Sequence, residues 1–192
     1  RMSVGVNYTH VWAIFVRQWY LQRGNASRIF MLFYWPIVEL VIWGLLTKYL
    51  ANIGGARLSF ITVLLGTVIF SVFLGRIQFG VTVSHLEDVW ARNMINLFAS
   101  PLSIAEYVSG LTLMSIFYSA ISLAFMGAVA WLLYAYNVIQ FGLLLIPFVA
   151  VLFLFGIALG LLAIIFVIRF GPSAETIVWA IPAALGPFSG VF

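Results

Sequence analysis

SHLEDVWARNMINLFASPLSIAEY, residues 84–107, is the longest polar interruption in a chain that is otherwise almost uniformly apolar. Its first part, residues 86–97, alternates polar and apolar positions in the manner of a short amphipathic helix, which lies on a surface and does not cross a bilayer. The polar and charged positions of this part are Glu87, Asp88, Arg92, Asn93 and Asn96. This pattern predicts that the stretch connects two membrane-spanning segments and forms a contact surface outside the bilayer core.

Two helix-start signals follow within the same stretch. Ser100-Pro101 places a good N-cap residue before a proline, which the first turn of a helix tolerates. Ser103 and Glu106 have the S-x-x-E spacing of a capping box, in which each side chain binds a free backbone N–H group. We therefore expect one helix to end near Leu97 and a long apolar helix to begin at one of these signals.

Composition bounds the class of protein. The 192 residues are 65% hydrophobic and 7% charged, whereas a soluble globular protein has about 25% charged residues. At about 20 residues per span, the chain has room for five or six membrane helices. It contains no cysteine, which excludes disulfides and Cys-based metal sites. The expected fold is an all-α polytopic membrane protein whose residues 1–192 form a single transmembrane domain.

The pattern predicts an N-terminal interfacial helix and five membrane helices. In residues 1–25, aromatic and aliphatic side chains share one side of a helix and polar ones the other, which is typical of a helix at a membrane surface. The apolar side consists of Tyr8, Val11, Trp12, Phe15, Val16 and Trp19. The membrane helices are expected at residues 28–50, 59–83, 106–134, 141–169 and 175–192, and a cytoplasmic coupling loop at residues 84–103. The last span contains Pro182, Gly186, Pro187 and Gly190, so it is expected to break or re-enter near its outer end.

Two residues inside the first span are unusual. Pro36 removes a backbone hydrogen bond and predicts a kink. Glu39 lies near the midpoint, where a charge costs about 2.5 to 3.5 kcal/mol, so it must face other helices or water. A carboxylate on a substrate or proton path and a protonated or hydrogen-bonded packing residue both fit this position. Aromatic residues that are candidates for the same path are Tyr34, Trp35, Trp43, Phe70 and Phe73, although aromatic side chains on a span more often face lipid or the core.

The remaining small and basic residues predict packing and orientation. Gly156 and Gly160 form a G-x-x-x-G pair, a helix-packing signal. Arg76, in the second span, is expected to extend to the interface. By the positive-inside rule, the side that carries most arginines is cytoplasmic, so the N-terminus and the central loop are expected in the cytosol and the protein in the cytoplasmic membrane. The arginines of that side are Arg1, Arg17, Arg23, Arg28, Arg92 and Arg169, against Lys48 and Arg57 on the other side.

The order of short acidic helix, ASPLSIAEYVSG and long apolar helix resembles the loop between the second and third spans of ABC-2 type transporter permeases. PFSGVF at the end is similar to the start of that family's P-x-S-G-x-x-x-P element. The resemblance implies a coupling helix seated in a groove of an ABC ATP-binding subunit, a second permease copy, and a sixth span beyond Phe192. The predicted contacts to the ATP-binding subunit are Glu87, Asp88, Trp90, Arg92, Asn93, Leu97, Ser100 and Pro101.

Trp90 and Leu97 are seven positions apart, so a continuous helix would place both on one face as anchors for that groove. Two alternatives remain open: the same face lies in the lipid headgroup layer, or the stretch is only a capped connection between two spans.

The missing motifs also bear on function. No G-x-x-x-x-G-K-[ST] sequence is present and the single lysine, Lys48, lies on the predicted outer side, so ATP and Mg²⁺ are expected on the partner subunit and no catalytic or metal site in this chain. The net charge of +4 is too dispersed for a nucleic-acid surface. The expected partners are the ATP-binding subunit, a second permease copy and membrane lipid. The expected function is ATP-driven export of a drug, lipid or lipid-linked glycan; the alternative is a secondary transporter with Glu39 as its coupling carboxylate.

Overall fold

The computed structural model describes residues 6–54, 58–171, 176 and 178–180. Within these ranges the chain is helical and has no β-strand, which confirms the expected all-α class for this part. The helices, in chain order, are α1 (Tyr8–Arg23), α2 (Ala26–Gly54), α3 (Leu58–Trp90), α4 (Met94–Ala99), α5 (Ile104–Tyr134), a 3-10 helix (Val138–Leu144) and α6 (Leu145–Phe170).

Four segments of the described chain are long and apolar enough to cross a membrane, and they indicate a multi-pass membrane protein. These segments are Ala26–Tyr49, Val63–Trp90, Ile104–Tyr134 and Val138–Phe170. The fifth predicted span, residues 175–192 with its expected break, lies almost wholly outside the described residues. Residues 176 and 178–180 are described and are helical.

The long helices α2, α3, α5 and α6 run alternately up and down, and α3 contacts the other three. Ser115 Oγ of α5 donates to the Ile77 carbonyl of α3 at 2.7 Å. Farther along α3, Gln78 Nε2 donates to the Val178 carbonyl at 3.2 Å. We call the end of this bundle where α3 ends and α5 begins the loop end, and the opposite end, where α5 ends, the far end.

The predicted G-x-x-x-G pair brings α6 close to α3. A Cβ atom on Gly156 would lie 2.9 Å from Ile77 Cβ, and one on Gly160 would lie 3.1 Å from Val81 Cβ. A larger residue at either position would therefore push the two helices apart. These glycines allow the close helix contact that the sequence predicts.

α1 packs against the first half of α5 partly through the predicted apolar side, since Phe15 and Trp19 lie 5.8 and 5.6 Å from Phe117 between ring centroids. Ile14 and Gln18 are its buried residues, whereas Trp12 is exposed. A Cβ atom on Gly110 of α5 would lie 2.5 Å from Ile14 Cβ, so the two helices meet at a glycine. The interfacial position of α1 remains a prediction.

The predicted amphipathic helix over residues 86–97 is not continuous. Arg92 has a positive φ of 52°. The Asn93 N–H donates to the Asp88 carbonyl at 3.0 Å, and the Arg92 N–H donates to the Val89 carbonyl at 3.0 Å. A left-handed residue with these two bonds is a Schellman motif, which ends an α-helix. The first half of the predicted helix is therefore the end of α3, and α4 is a separate helix of six residues.

α5 begins at the second of the two predicted start signals. Ser103 Oγ accepts from the Glu106 N–H at 3.2 Å, and Glu106 Oε2 accepts from the Ser103 N–H at 2.9 Å. This capping box is therefore confirmed. Ser100 instead caps the C-terminus of α4, and Pro101 lies in the connection, so the prediction of a helix start at Ser100-Pro101 is wrong.

Candidate functional site

Three of the five acidic residues of the chain, Glu87, Asp88 and Glu106, lie at the loop end. Each forms an ion pair with a basic residue of the N-terminal segment. No group of His, Asp and Glu side chains within the described residues is arranged to hold a metal ion. The acidic cluster therefore serves to attach α1 and α2 to the ends of α3 and α5.

Asp88 is the most enclosed of these carboxylates, with 2% of its surface exposed. Both guanidinium Nη atoms of Arg17 contact it, the longer contact being 3.2 Å from Nη1 to Oδ2. The Tyr107 hydroxyl donates to the same Oδ2 at 2.8 Å, and His85 Nδ1 lies 3.4 Å from that hydroxyl. Because a buried charge needs a partner and hydrogen bonds, this network fixes α1, α3 and α5 to one another.

Glu106 makes the second attachment of α1. Its Oε1 accepts from the backbone N–H of Asn7 at 2.8 Å, and its Oε2 lies 3.1 Å from His10 Nδ1. The same carboxylate closes the capping box of α5 with Ser103. The start of α1 is thus held at the first turn of α5.

The third ion pair joins α2 to α3. Arg28 Nη2 lies 2.9 Å from Glu87 Oε1, and both side chains are partly exposed. Exposed pairs contribute little to stability, so this pair is a weaker attachment than Arg17–Asp88. Glu87 and Asp88, which were predicted to begin a free helix and contact a partner, instead bind this chain's own arginines.

The predicted face shared by Trp90 and Leu97 does not exist. Leu97 is 9% exposed and packs in an internal cluster with Ile14, Tyr107 and Leu111. It is turned inward because the Schellman turn reorients α4 relative to the end of α3. Leu97 therefore anchors α4 to α1 and α5 within the chain.

Other apolar side chains cover the outside of the loop. Ile95 on α4 is 81% exposed and Ile104 at the start of α5 is 70% exposed. Trp90, at the end of α3, is also exposed. We call Trp90, Ile95 and Ile104 the loop patch. The sequence pattern does not single out Ile95 and Ile104, because it predicts a continuous helix over residues 86–97 with Trp90 and Leu97 as its exposed anchors.

The other predicted contact residues are distributed over the loop surface. Arg92, Ser100 and Pro101 are exposed, and Asn93 is half-buried. Asn93 Oδ1 accepts from Asn96 Nδ2 at 3.2 Å, a contact within the loop. Arg92 forms no ion pair with Asp88, because Asp88 binds Arg17 and the helix ends between Asp88 and Arg92.

A cavity of about 690 Å³ is the second polar region. It lies between α2 and α3, and α1 and α5 contribute to its wall at the loop end. Its polar and charged lining residues are Gln18, Gln22, Arg28, Glu39, Ser71, Arg76, Ser84, Glu87, Ser115, Tyr118 and Ser119. Trp35 and Met31 also line the cavity and are exposed on the outside of the bundle, so the cavity reaches that surface. A volume in this range is typical of small-molecule sites.

Arg76 spans the cavity at the place where Pro36 interrupts α2. A proline has no backbone N–H, so the carbonyl four residues earlier, that of Leu32, lacks its helical donor. Arg76 Nη2 donates to the Leu32 carbonyl at 3.2 Å and to the Met31 carbonyl at 3.0 Å. The extension of Arg76 to the membrane interface remains a prediction; within the bundle its guanidinium binds the carbonyl that Pro36 frees. The sequence contains two signals for this contact: a single arginine inside the apolar span α3 and a proline inside the neighbouring span α2.

The residues of the predicted substrate path separate into two groups. Glu39 and Trp35 line the cavity. Phe70 and Phe73 are buried against α6, where Phe73 lies 4.9 Å from Phe153 between ring centroids, so they belong to the α3–α6 core.

Two further aromatic residues of that path do not line the cavity. Tyr34 is exposed and stacks on Phe30 at 5.1 Å between ring centroids, whereas Trp43 is half-buried. Of the six predicted path residues, Glu39 and Trp35 line this cavity, and the substrate path itself remains a prediction.

Two buried polar atoms in the cavity wall have no hydrogen-bond partner. They are Nε2 of Gln18, a residue 4% exposed, and Oγ of Ser119, a residue 1% exposed. Buried polar groups are nearly always satisfied, so such atoms call for a ligand or water. The sequence pattern singles out neither, because Gln18 is one of several polar residues of an amphipathic helix and Ser119 one of several serines of a span. Comparison of this chain with models of known protein families, with curated proteins and with solved structures finds no match.

Proposed function

We propose that this chain is the membrane subunit of an ATP-driven exporter of the ABC-2 permease type, which works with a separate ATP-binding subunit and a second permease copy. The observation that carries this proposal is the construction of the loop end. An exposed apolar patch lies on a loop that is itself fastened to α1, α3 and α5 through buried contacts. Such a loop is suited to receive a partner and to pass its movement to the bundle.

These buried contacts explain how a displacement of the loop would be transmitted to the membrane helices. Leu97 ties α4 to α1 and α5, and Asp88 joins α1 to the end of α3. Interfaces of packed side chains move as units, because they do not deform continuously. Displacement of α4 by an ATP-binding subunit would therefore shift α1, α3 and α5 together relative to α2, which changes the width of the α2–α3 cavity.

The proposal includes an orientation. The loop end is cytosolic and the far end faces outward, which the arginine distribution supports. ATP and Mg²⁺ are then bound by the partner, and the cargo, a drug, lipid or lipid-linked glycan, passes through the membrane part.

Co-purification tests the proposal with a matched pair of variants. Ile95 and Ile139 are exposed isoleucines, 81% and 76% exposed, at the loop end and beyond the far end of α5. The chain is co-expressed with a candidate ATP-binding cassette protein from the same organism. Loss of an apolar anchor at an interface costs about 2 kcal/mol, roughly thirtyfold in affinity. Ile95→Asp should therefore lose the ATPase and its stimulation by the chain, while Ile139→Asp keeps both.

The same experiment separates docking from membrane contact. If the loop patch lies in the headgroup layer, Ile95→Asp changes membrane insertion and ATPase binding stays at the level of Ile139→Asp. That result would refute the coupling role. A secondary transporter remains the second candidate because Glu39 lines the cavity beside Arg76. Cargo uptake into proteoliposomes that hold this chain without any ATPase, abolished by Glu39→Gln, would establish that candidate instead.

A further inference from the structure

We propose that the α2–α3 cavity binds a lipid-like amphiphile with an anionic headgroup, and that Arg76 is the main contact of the anion. This deepens the proposed function by naming a ligand class. It is a property of this chain alone, so its test needs no ATP-binding subunit and can fail or succeed independently.

Arg76 is a cation with no carboxylate in direct contact, and Glu39 acts on it only at longer range. The described part of the chain contains three ion pairs within 4.0 Å, and none includes Arg76. The other arginine in the cavity wall, Arg28, is neutralised by Glu87 at 2.9 Å. An arginine among apolar helices is costly unless an anion contacts it directly, so Arg76 favours an anionic ligand in addition to the distant Glu39.

Arg76 is also oriented in advance for such a ligand. Its Nη2 atom is held by the carbonyls of Met31 and Leu32. The Nη1 and Nε donors are left for a ligand, and a guanidinium binds phosphate or carboxylate oxygens through pairs of parallel N–H groups. The carbonyl that Pro36 frees thus helps to hold the guanidinium through Nη2, and the other N–H groups of the guanidinium stay available.

The remaining unsatisfied groups of the wall are donors as well. Gln18 Nε2 can only donate, and the Ser119 hydroxyl can donate to an oxygen of the ligand. Ser115 of α5 lines the cavity and donates a hydrogen bond to the carbonyl of Ile77, the residue that follows Arg76 in α3. Ser115 and Arg76 therefore lie at about the same height in the bundle. Donors from three helices therefore line one cavity, which matches an acceptor-rich headgroup.

Glu39 lines the same cavity, and its carboxylate interacts electrostatically with Arg76 without touching it. It follows Leu32 by seven positions in α2, which corresponds to about 10 Å along the helix. It would accept hydrogen bonds from hydroxyl or amine groups of the same ligand. Because it repels the anion, its neutralisation should not weaken anion binding.

The lining also has room for an apolar tail. Met31, Trp35 and Trp179 line the cavity and are exposed, so this part of the lining is apolar and open. A lipid tail can therefore pass between these side chains while the headgroup remains inside.

Native mass spectrometry of the detergent-purified chain tests the proposal. The probes are phosphatidic acid and phosphatidylcholine with the same acyl chains, and inorganic phosphate as a competitor. We expect one phosphatidic acid to bind at least about tenfold more tightly than phosphatidylcholine, since hydrogen bonds to a charged group contribute about 1.5–3 kcal/mol. Inorganic phosphate at millimolar concentration should not displace the lipid.

Variants assign the binding to this cavity. Arg76→Gln should lower the affinity for phosphatidic acid roughly tenfold, and Arg169→Gln, at the exposed end of α6, should not change it. Because Arg76 also supports α2, Ser119→Ala provides a variant that removes only a hydroxyl, with an expected loss of roughly threefold. Glu39→Gln should leave the affinity equal or higher.

Four outcomes would overturn the proposal. Equal binding of the two lipids, or equal effects of Arg76→Gln and Arg169→Gln, would remove the anion site. A folded Arg76→Gln protein with unchanged affinity, together with a large loss in Glu39→Gln, would show that the cavity takes a cation. Displacement by inorganic phosphate would show a site for the free anion and overturn the amphiphile assignment.

Discussion

Arg17 and Asp88, 71 positions apart in the sequence, form a bidentate ion pair that attaches the N-terminal helix to the end of α3. Tyr107 of α5 completes it from the other side. Together with Tyr107, this buried pair holds α1, α3 and α5 in fixed positions at the loop end.

The first prediction concerns the stability of this pair. Arg17→Gln leaves the Asp88 carboxylate buried without its cation, and breaking a buried pair costs about 3 kcal/mol or more. Arg28→Gln removes the partner of the more exposed Glu87 and should cost less than about 1 kcal/mol. Thermal unfolding in detergent should therefore show a much lower midpoint for Arg17→Gln. Equal midpoints for the two variants would mean that Asp88 is not held by Arg17.

The second prediction uses two glycines of α5. A Cβ atom on Gly110 would lie 2.5 Å from Ile14 Cβ, whereas one on Gly127 would meet Val138 Cγ2 at an ordinary 3.6 Å. Alanine favours a helix over glycine by about 1 kcal/mol. Gly127→Ala should therefore stabilise the protein, while Gly110→Ala should move α1 away from α5.

The measurement is the distance between spin labels on α1 and on the far end of α5, which the cysteine-free chain allows at single introduced cysteines. The distance should broaden or shift for Gly110→Ala and stay unchanged for Gly127→Ala. An unchanged distance in both would contradict the close α1–α5 contact.

The third prediction is a coupling between Pro36 and Arg76. Pro36→Ala restores a backbone N–H that can bond to the Leu32 carbonyl, so Arg76 loses one of its structural acceptors. Arg76→Gln should therefore destabilise the Pro36→Ala protein less than the unmodified one, by about 1 kcal/mol in a double-mutant cycle. Pro147→Ala, in the first turn of α6, should show no coupling with Arg76. Coupling of similar size at both prolines would indicate a general effect of helix stiffness.

The fourth prediction concerns the turn that ends α3. Arg92 has a φ of 52°, which glycine adopts without the steric cost of a Cβ atom. Arg92→Gly should therefore be neutral or stabilise by up to about 1 kcal/mol. Ala91→Gly, one position earlier, should destabilise, because its backbone has no positive φ. A marked loss of stability in Arg92→Gly would mean that its side chain, and not its backbone, is needed there.

The sequence predicted the features that depend on local patterns. Apolar length identified the long helices, the Ser103–Glu106 spacing predicted the capping box, and Gly156 with Gly160 predicted close packing. Each of these depends on residues a few positions apart, so the physical rule can be applied without knowing the fold.

The sequence pattern is less informative where distant residues decide the outcome. The amphipathic pattern of residues 86–97 indicated a free helix, because nothing local shows that Arg17 captures Asp88. Similarly, Arg76 has an internal acceptor only because Pro36 faces it from a neighbouring helix. The aromatic residues Phe70 and Phe73 carry no signal that separates a core position from a cavity wall.

Single-cysteine labelling tests the central claim most directly, since the chain has no native cysteine. Ile95→Cys and Ile139→Cys place one exposed thiol at the loop end and one beyond the far end of α5. In intact cells, a membrane-impermeant maleimide should label Ile139→Cys and leave Ile95→Cys unlabelled. In inverted vesicles Ile95→Cys should react, and the bound ATP-binding subunit should protect it. Labelling of Ile95→Cys from outside intact cells would place the loop away from any ATPase and contradict the account.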